Sequence, residues 1–436
     1  MFIYASHISP RFQYIVNTLL GKGVLITDSK EKFLQQQGFK INYSNERLSN
    51  DALFIQPHVL LFEENIQYQK IDCFEWNGVK VFFKTDGDIP FDIFAAAFYL
   101  ISRYEEYLPH ELDMYGRYNH ANSLAYKENF LQLPLINLWL KELTKINSVF
   151  NIQHSTFNFI PTYDIDIAYA YLHQPFFKNL FGFYSDLFKF NFEKFTERSN
   201  VYSGWKKDPY DTYDWLDALH QQYHLQPIYF FLCIIERGEY DKNILIRSKA
   251  IQKLYQSIAD KYSVGIHPSW KSAVQMTDDR EQMTEKKSLI KSEIGVLKEI
   301  IQQDIVSSRQ HYLRFTLPDT YRQLIALGMK HEYSMGYGSI NGFRASYALP
   351  FYWFDLQKNK TTELMVHPFC YMEANSFFEQ KYSAEQAREE LQHYHDIVKS
   401  VNGELITIFH NHFITEQPQW IEWRNMYADF LEKNYS

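Results

Sequence analysis

Hydrophobic and polar positions follow two different rhythms along this chain, and the change between them divides it. Up to about Ile152, short apolar runs such as Gly23-Val24-Leu25-Ile26-Thr27 and Val79-Lys80-Val81-Phe82-Phe83 have the length and composition of strands. Phe91 to Tyr107 follows Pro90, repeats apolar residues at helical spacing and ends in charge, which predicts a helix. Its Arg103, Glu105 and Glu106 are expected on a solvated face. From about Asn158, strand-like runs alternate with longer helical ones. Strands are predicted at Phe159 to Tyr163, Ile228 to Ile234, Ser263 to Ile266, Tyr312 to Phe315 and Leu405 to Phe409. Helices are predicted near 211–223, 244–262, 320–327 and 384–401, through Ile290, Ile294, Leu297 and Ile301, and at a closing segment with Trp420, Trp423 and Phe430. Repeated βα units imply a parallel sheet, open or closed into a barrel. The expected organisation is an N-terminal mixed α/β domain over residues 1–152 and a larger α/β domain over 153–436.

One segment departs from the βα rhythm. Between residues 170 and 210, and most densely from Phe176 to Phe195, Phe and Tyr interleave with Lys, as they do in interfacial helices. Its mixed charges, in an acidic chain, favour a packed helical insertion instead.

Composition narrows the function classes. With 436 residues, 46% hydrophobic and 22% charged, the chain can bury one large core or two ordinary ones, and two are expected. A formal charge of −8 and a pI near 6.1 leave no footprint for phosphate backbones, which excludes nucleic acid as a partner and disfavours anionic membrane. No run of about eighteen apolar residues occurs, so no spanning helix is expected. Cys73, Cys233 and Cys370 are odd in number and far apart, which argues against disulfides or a thiolate zinc site and for a reducing compartment. The first residues lack the features of a secretory signal, so a cytoplasmic location is expected. The 33 Tyr and 36 Phe suit a sugar-binding groove or a core equally well.

The polar residues that matter fall at predicted strand ends, where α/β sheets and barrels place chemistry. Asp164 and Asp166, two apart on an extended segment, project to one face and repel unless a proton or a cation intervenes. The structural alternative is that Asp166 caps a helix and Asp164 bonds a turn. His267, in Gly265-Ile266-His267-Pro268-Ser269-Trp270, is a candidate metal ligand or a hydrogen-bonded packing residue. Arg309, in Arg309-Gln310-His311-Tyr312, could orient a carboxylate or form a surface ion pair. In His410-Asn411-His412 either imidazole could be a general acid or a ligand. His331 and His367 are weaker candidates with structural roles expected. No phosphate loop, nucleophile elbow or His-Glu-x-x-His occurs.

In this order, Thr162-Tyr163-Asp164-Ile165-Asp166, the His267 motif, the Arg309 motif, Gly342-Phe343-Arg344-Ala345 before Pro350-Phe351, and Ile408-Phe409-His410 resemble the polysaccharide deacetylases of the NodB-homology type. The resemblance covers roughly residues 155–415 and is greatest to divergent two-domain bacterial members, whose N-terminal region Asp88-Ile89-Pro90-Phe91-Asp92 is similar to. It implies a distorted (β/α) barrel and a divalent metal, usually zinc, that serves the removal of acetyl groups from N- or O-acetylated sugars. It implies Asp164 as general base, Arg309 as the group positioning it, His410 as general acid, and Asp166 and His267 as metal ligands. Lys271 stands where the family pattern has a second histidine, and His311 is the expected replacement ligand. Trp270, Tyr312 and Arg344 are the expected substrate contacts. The alternative is a glycan-binding protein without catalysis, in which the Lys271 ammonium takes the cation's place.

Overall fold

Parallel pairing of short, largely buried strands organises both halves of the chain. The computed structural model describes residues 1–150, 156–273 and 280–436. The expected domain boundary at 152/153 lies outside the described residues. In the N-terminal half, β1 (Phe2–Ala5), β2 (Leu25–Thr27), β3 (Lys40–Tyr43) and β4 (Ala52–Ile55) form a parallel sheet in the order β2-β1-β3-β4. A hairpin of β5 (Phe74–Trp76) and β6 (Val79–Val81) follows.

The second sheet has nine strands. These are β7 (Asn158–Ile165), β8 (Ile228–Leu232), β9 (Ser263–His267), β10 (Ser307–Ser308), β11 (His331–Glu332), β12 (Phe351–Asp355), β13 (Lys360–Val366), β14 (Tyr371–Met372) and β15 (Glu404–His410). Their order is β12-β13-β11-β10-β9-β8-β7-β15-β14, parallel throughout except for β12 against β13. The sheet curls, because one apolar cluster gathers Phe230, Tyr333, Phe369, Met372, Ile406 and Ile408 from across it.

Among the described residues no strand pairing links the two edges, β12 and β14, into the closed form of the expected barrel. Four residues join β13 to β14, and their backbone groups are engaged elsewhere: Phe369 N–H donates to Met335 O (3.1 Å), and Cys370 O accepts from Gly342 N–H (2.9 Å). Pro368 has no N–H to offer. The run Tyr312–Phe315 also differs from its expected strand. It holds a 3₁₀ turn, His311–Leu313, and the strand is instead the shorter β10 just before it. Tyr312 and Leu313 adopt left-handed φ values of 58° and 55° there, a conformation unfavourable for side chains of this size.

The predicted helix from Phe91 is present as Ile93–Ile101, capped by Asp92, whose carboxylate accepts from Phe94 N–H (3.0 Å) and Ala95 N–H (3.1 Å). All nine helical residues are buried. A helix that is apolar all round has no solvated face, so its charged end is buried too. Arg103, Glu105 and Glu106 are therefore not a surface cluster, which corrects the expectation. Arg103 donates to Glu106 (2.7 Å) and Glu105 (2.8 Å), and its Nη1 donates to Arg344 O.

Arg344 completes this network from the second half, donating twice to Glu106, at 2.8 and 2.6 Å. It is buried and committed to that carboxylate, so the expected substrate contact through Arg344 is also corrected. Nearby, Tyr14 OH donates to Tyr352 O (2.7 Å), and one continuous apolar cluster runs through both sheets.

The aromatic insertion forms two helices, Phe176–Phe188 and Phe192–Tyr202. It is helical as expected but not packed as expected: Phe177, Phe181, Tyr184 and Phe188 face solvent.

Burial raises the Glu106 carboxyl's pKa, but Arg344 and Arg103 outweigh it and hold it at about 2, below the ordinary 4.5. A depressed folded-state pKa contributes stability above pH 4.5 that is lost as pH falls toward 2. Glu106→Gln, which leaves two arginines short of a charge partner, is expected to destabilise the fold by roughly 3–5 kcal/mol at neutral pH in urea titrations. The difference from wild type should shrink on acidification.

Candidate metal centre and cavity

Parallel strands deliver their carboxyl ends to one edge, and that edge carries the candidate residues. Asp164 on β7 pairs in register with His410 on β15 and Phe230 on β8. His267 ends β9, in register with Leu232. Asp166 follows the last residue of β7, and the backbone around it is clamped from both sides. Asn243 donates to Ile165 O (3.1 Å) and Asn411 to Ile167 O (3.0 Å).

Within this frame the side chains converge. His267 Nε2 lies 3.3 Å from Asp166 Oδ1 and 3.8 Å from Asp164 Oδ2. His311 Nε2 and His410 Nε2 each lie 3.6 Å from Asp166 Oδ2. The left-handed turn after His311 lets it reach this point while Arg309, two residues earlier, points into the sheet. Arg309 is fully buried, donating to Asp164 Oδ1 (2.9 Å), Thr162 Oγ1 (2.6 Å) and Tyr333 O (3.1 Å), with Phe230 beneath its guanidinium at 4.4 Å.

Each imidazole has a defined proton arrangement. His267 Nδ1 is 2.6 Å from Arg309 O; a carbonyl only accepts, so Nδ1 carries a proton and Nε2 is the atom turned toward Asp166. His311 Nδ1 donates likewise to Asp241 (3.1 Å), and His410 Nδ1 to Glu373 (2.8 Å). Burial lowers the pKa of His311, but Asp166 and Asp241 reverse the effect and raise it to about 9. His410 is raised to about 9 by Glu373 and Asp166 against the same burial. Asp166 is held well below the carboxylate range, burial being outweighed by His311 and His267. His412 is pushed down to about 3 by burial and by the neighbouring His410.

These residues fit a divalent cation. Asp166, His267 and His311 each offer one ligand atom, all within 4.8 Å of one another. Asp166 Oδ1 is buried without a hydrogen-bond partner, an unmet acceptor of the kind a cation satisfies. One carboxylate and two imidazoles, each with an oxygen acceptor behind its Nδ1, make a three-ligand set that leaves a position open. Lys271 is elsewhere: its exposed ammonium pairs with Glu236 at 3.2 Å. It does not take a cation's place, which removes the support it gave to a non-catalytic reading.

The cluster lies at the base of a cavity of about 700 Å³ lined by Asp164, Asp166, His267, His311, Tyr312, His410 and His412 among others. A wider depression of about 800 Å³ near Lys207 and Lys249 contains none of them. Tyr312 lines the cavity. Trp270 does not; it stands behind the wall, 4.3 Å from the Tyr240 ring, with the Arg314 guanidinium 4.1 Å above it.

The N-terminal half contributes Met114, Tyr115 and Arg117 to the same cavity. Tyr115 packs 5.4 Å from the Tyr312 ring. Arg117 reaches across to Tyr312 O (3.2 Å) and Gly338 O (3.1 Å), held by Asp113 at 2.6 Å. A Cβ at Gly338 would meet Arg117 Nη1 at 1.9 Å, so a side chain there would require the guanidinium to shift. Reading the sequence missed Tyr115, Arg117, Asp241 and Glu373. Glu373 follows a two-residue strand too short to show a period, and the others sit in loops with no motif.

Residues 1–150 match a family described as a family of unknown function (DUF7033). No curated protein matches the chain. Among solved structures, a Mycobacterium smegmatis protein assigned to the polysaccharide deacetylases aligns at 11% identity and a TM-score of 0.40, over 64% of this chain and 85% of that one. A Pseudomonas aeruginosa PAO1 protein so assigned aligns at 13% and 0.39, over 64% and 83%. The Puue allantoinase aligns at 11% and 0.38, over the same shares.

Elemental analysis of protein purified without added metal is expected to find about one divalent cation per chain, lost in Asp166→Ala. Asp241→Asn, which changes the acceptor shared by the far nitrogen of His311 and the Trp270 N–H (2.8 Å), should weaken cation affinity by roughly 10- to 100-fold in competition titrations.

Proposed function

We propose that this chain is a metal-dependent hydrolase that removes acetyl groups from N- or O-acetylated sugars of a bacterial polysaccharide or its precursor. One observation carries the reading: an Arg309-held carboxylate, Asp164, and a Glu373-held imidazole, His410, both face the Asp166–His267–His311 ligand set. A structural ion-pair cluster has no use for two additional proton-handling groups, each with its own buried orienting partner. Hydrolysis does, because one group must accept a proton from the attacking water and another must return one to the leaving group.

Asp164 Oδ1 is taken up by Arg309, which leaves Oδ2 to receive the water's proton. His410 gives its Nδ1–H to Glu373, so Nε2 is the atom that delivers a proton to the departing amine or alcohol. Asp166, His267 and His311 would hold a divalent cation, for which zinc suits the one-oxygen, two-nitrogen donor set, and it would supply Lewis acidity when bound. The aromatic faces of Tyr312, Tyr115 and Tyr240 on the cavity wall suit the apolar face of a sugar ring.

Acetate release from N-acetylglucosamine oligomers and O-acetylated xylooligosaccharides tests the roles. Asp164→Asn and His410→Ala are each expected to keep the cation and to lose roughly 10²- to 10⁴-fold in kcat/KM. Undiminished release by Asp164→Asn would sink the assignment of the base.

A further inference from the structure

The helical hairpin between β7 and the cavity rim is built inside out. In its first helix, Phe177, Phe181, Tyr184 and Phe188 recur at helical spacing on one stripe, and they are 79%, 70%, 63% and 71% exposed. A soluble helix ordinarily turns such a stripe to the core. Here the inward side holds a buried ion pair beside Phe183, which packs on Phe195 and Tyr202 at 5.5 and 5.7 Å: Asp186 is buried and accepts from Arg198 Nε of the second helix at 2.9 Å. The Arg198 guanidinium lies 4.5 Å from the Tyr171 ring and 5.5 Å from Phe183, against Gly182, where a Cβ would meet it at 2.6 Å. At the turn, Phe190 and Phe192 are again mostly exposed.

We propose that this hairpin seats on an anionic lipid surface, its aromatic stripe and turn entering the zone between headgroups and acyl chains. Charge selects this occupant. Around the stripe, Lys178, Lys189 and Lys194 are exposed against the single exposed acid Glu193, Asp186 being spent on Arg198. The net charge of −8 belongs to the whole chain, whereas the surface presented here is locally basic. Phe and Tyr on one face with Lys beside them is the composition of helices that lie in the interface plane. Length agrees: helices of 13 and 11 residues are too short to span a bilayer, and no helix among the described residues is long and apolar enough to cross a membrane.

The hairpin is also fixed to the body of the protein. The Asp208 carboxylate accepts from the N–H groups of Ala170, Tyr171 and Leu172 at 2.8, 2.9 and 2.9 Å. Glu197 accepts from Tyr171 OH and from Gln417 in the segment that follows β15, both at 2.8 Å. The segment leaves the sheet just after Asp166 and returns through Tyr210, which lines the cavity. Docking of the stripe therefore sets the cavity beside the lipid surface. This inference does not depend on the chemistry proposed above.

Flotation of the full chain with vesicles tests it. At low salt the protein is expected to float with phosphatidylglycerol–phosphatidylethanolamine vesicles and much less with pure phosphatidylcholine. Phe177→Ser/Phe181→Ser/Phe188→Ser should lose about tenfold or more in partitioning, and Lys189→Glu/Lys194→Glu should lose binding and its salt sensitivity. Both variants alter only exposed side chains, and unchanged thermal unfolding and cation content would show that each is folded. The proposal fails if wild type stays at the bottom of the gradient with both vesicle types, or if the triple variant floats as wild type does. It also fails if wild type ignores vesicles but forms a dimer that the triple variant cannot, which would make a second copy the occupant.

Discussion

Hydrogen bonding of β7 to β15 on one side and to β8 on the other sets the position of everything that follows. Because the three strands are parallel and in register, their last residues emerge together, and the backbones of Asp164, His410 and the approach to His267 arrive at one edge. The alternation of faces does the rest. Asp164 points to the cavity, whereas Tyr163 points the other way, where its hydroxyl meets His220 at 2.8 Å and Tyr427 at 2.5 Å. A slip of one residue would bury Asp164 among these groups and put Tyr163 over the cluster of Asp166, His267 and His311. Asn243 and Asn411 oppose such a slip, since each binds a carbonyl on the segment that carries Asp166.

Buried charge is handled in the same way at the cavity and at the seam between the two halves of the chain. Arg309 answers Asp164, Asp241 answers His311, Glu373 answers His410, and Arg344 with Arg103 answers Glu106. Each pair combines opposite charge with directed hydrogen bonds, which is the condition under which ions tolerate removal from water. Asp166 Oδ1 is buried without a hydrogen-bond partner where the three ligand atoms converge, and Arg309 Nη2, Asp241 Oδ2 and Glu373 Oε2 are likewise unpartnered around it. The seam and the cavity are also joined physically, since Arg117 ties the N-terminal loop to the turn that carries Tyr312.

The long periodic elements were legible in the sequence. Helices such as Ala384–Ser400 and strands such as Glu404–His410 carry enough repeats for their faces to be assigned. Asp164, Asp166, His267 and His410 were legible because strand ends are where α/β sheets collect polar residues. What was not legible depends on contacts distant in sequence. Arg344 and Glu106 are 238 residues apart, and neither shows locally that it will be buried. The strand expected at Tyr312–Phe315 is a turn because tertiary contacts override its aromatic propensity. The hairpin was misjudged because period locates an apolar stripe without saying whether protein covers it.

The close approach of Arg117 to Gly338 has a consequence at the level of the gene. Every missense change in a glycine codon adds a Cβ, and at this position any Cβ displaces a guanidinium that bridges two backbone carbonyls across the two halves. No single-step amino-acid variant at residue 338 leaves the wall of the cavity as it is. The smallest residue at the seam thus sets where the Arg117 guanidinium can lie.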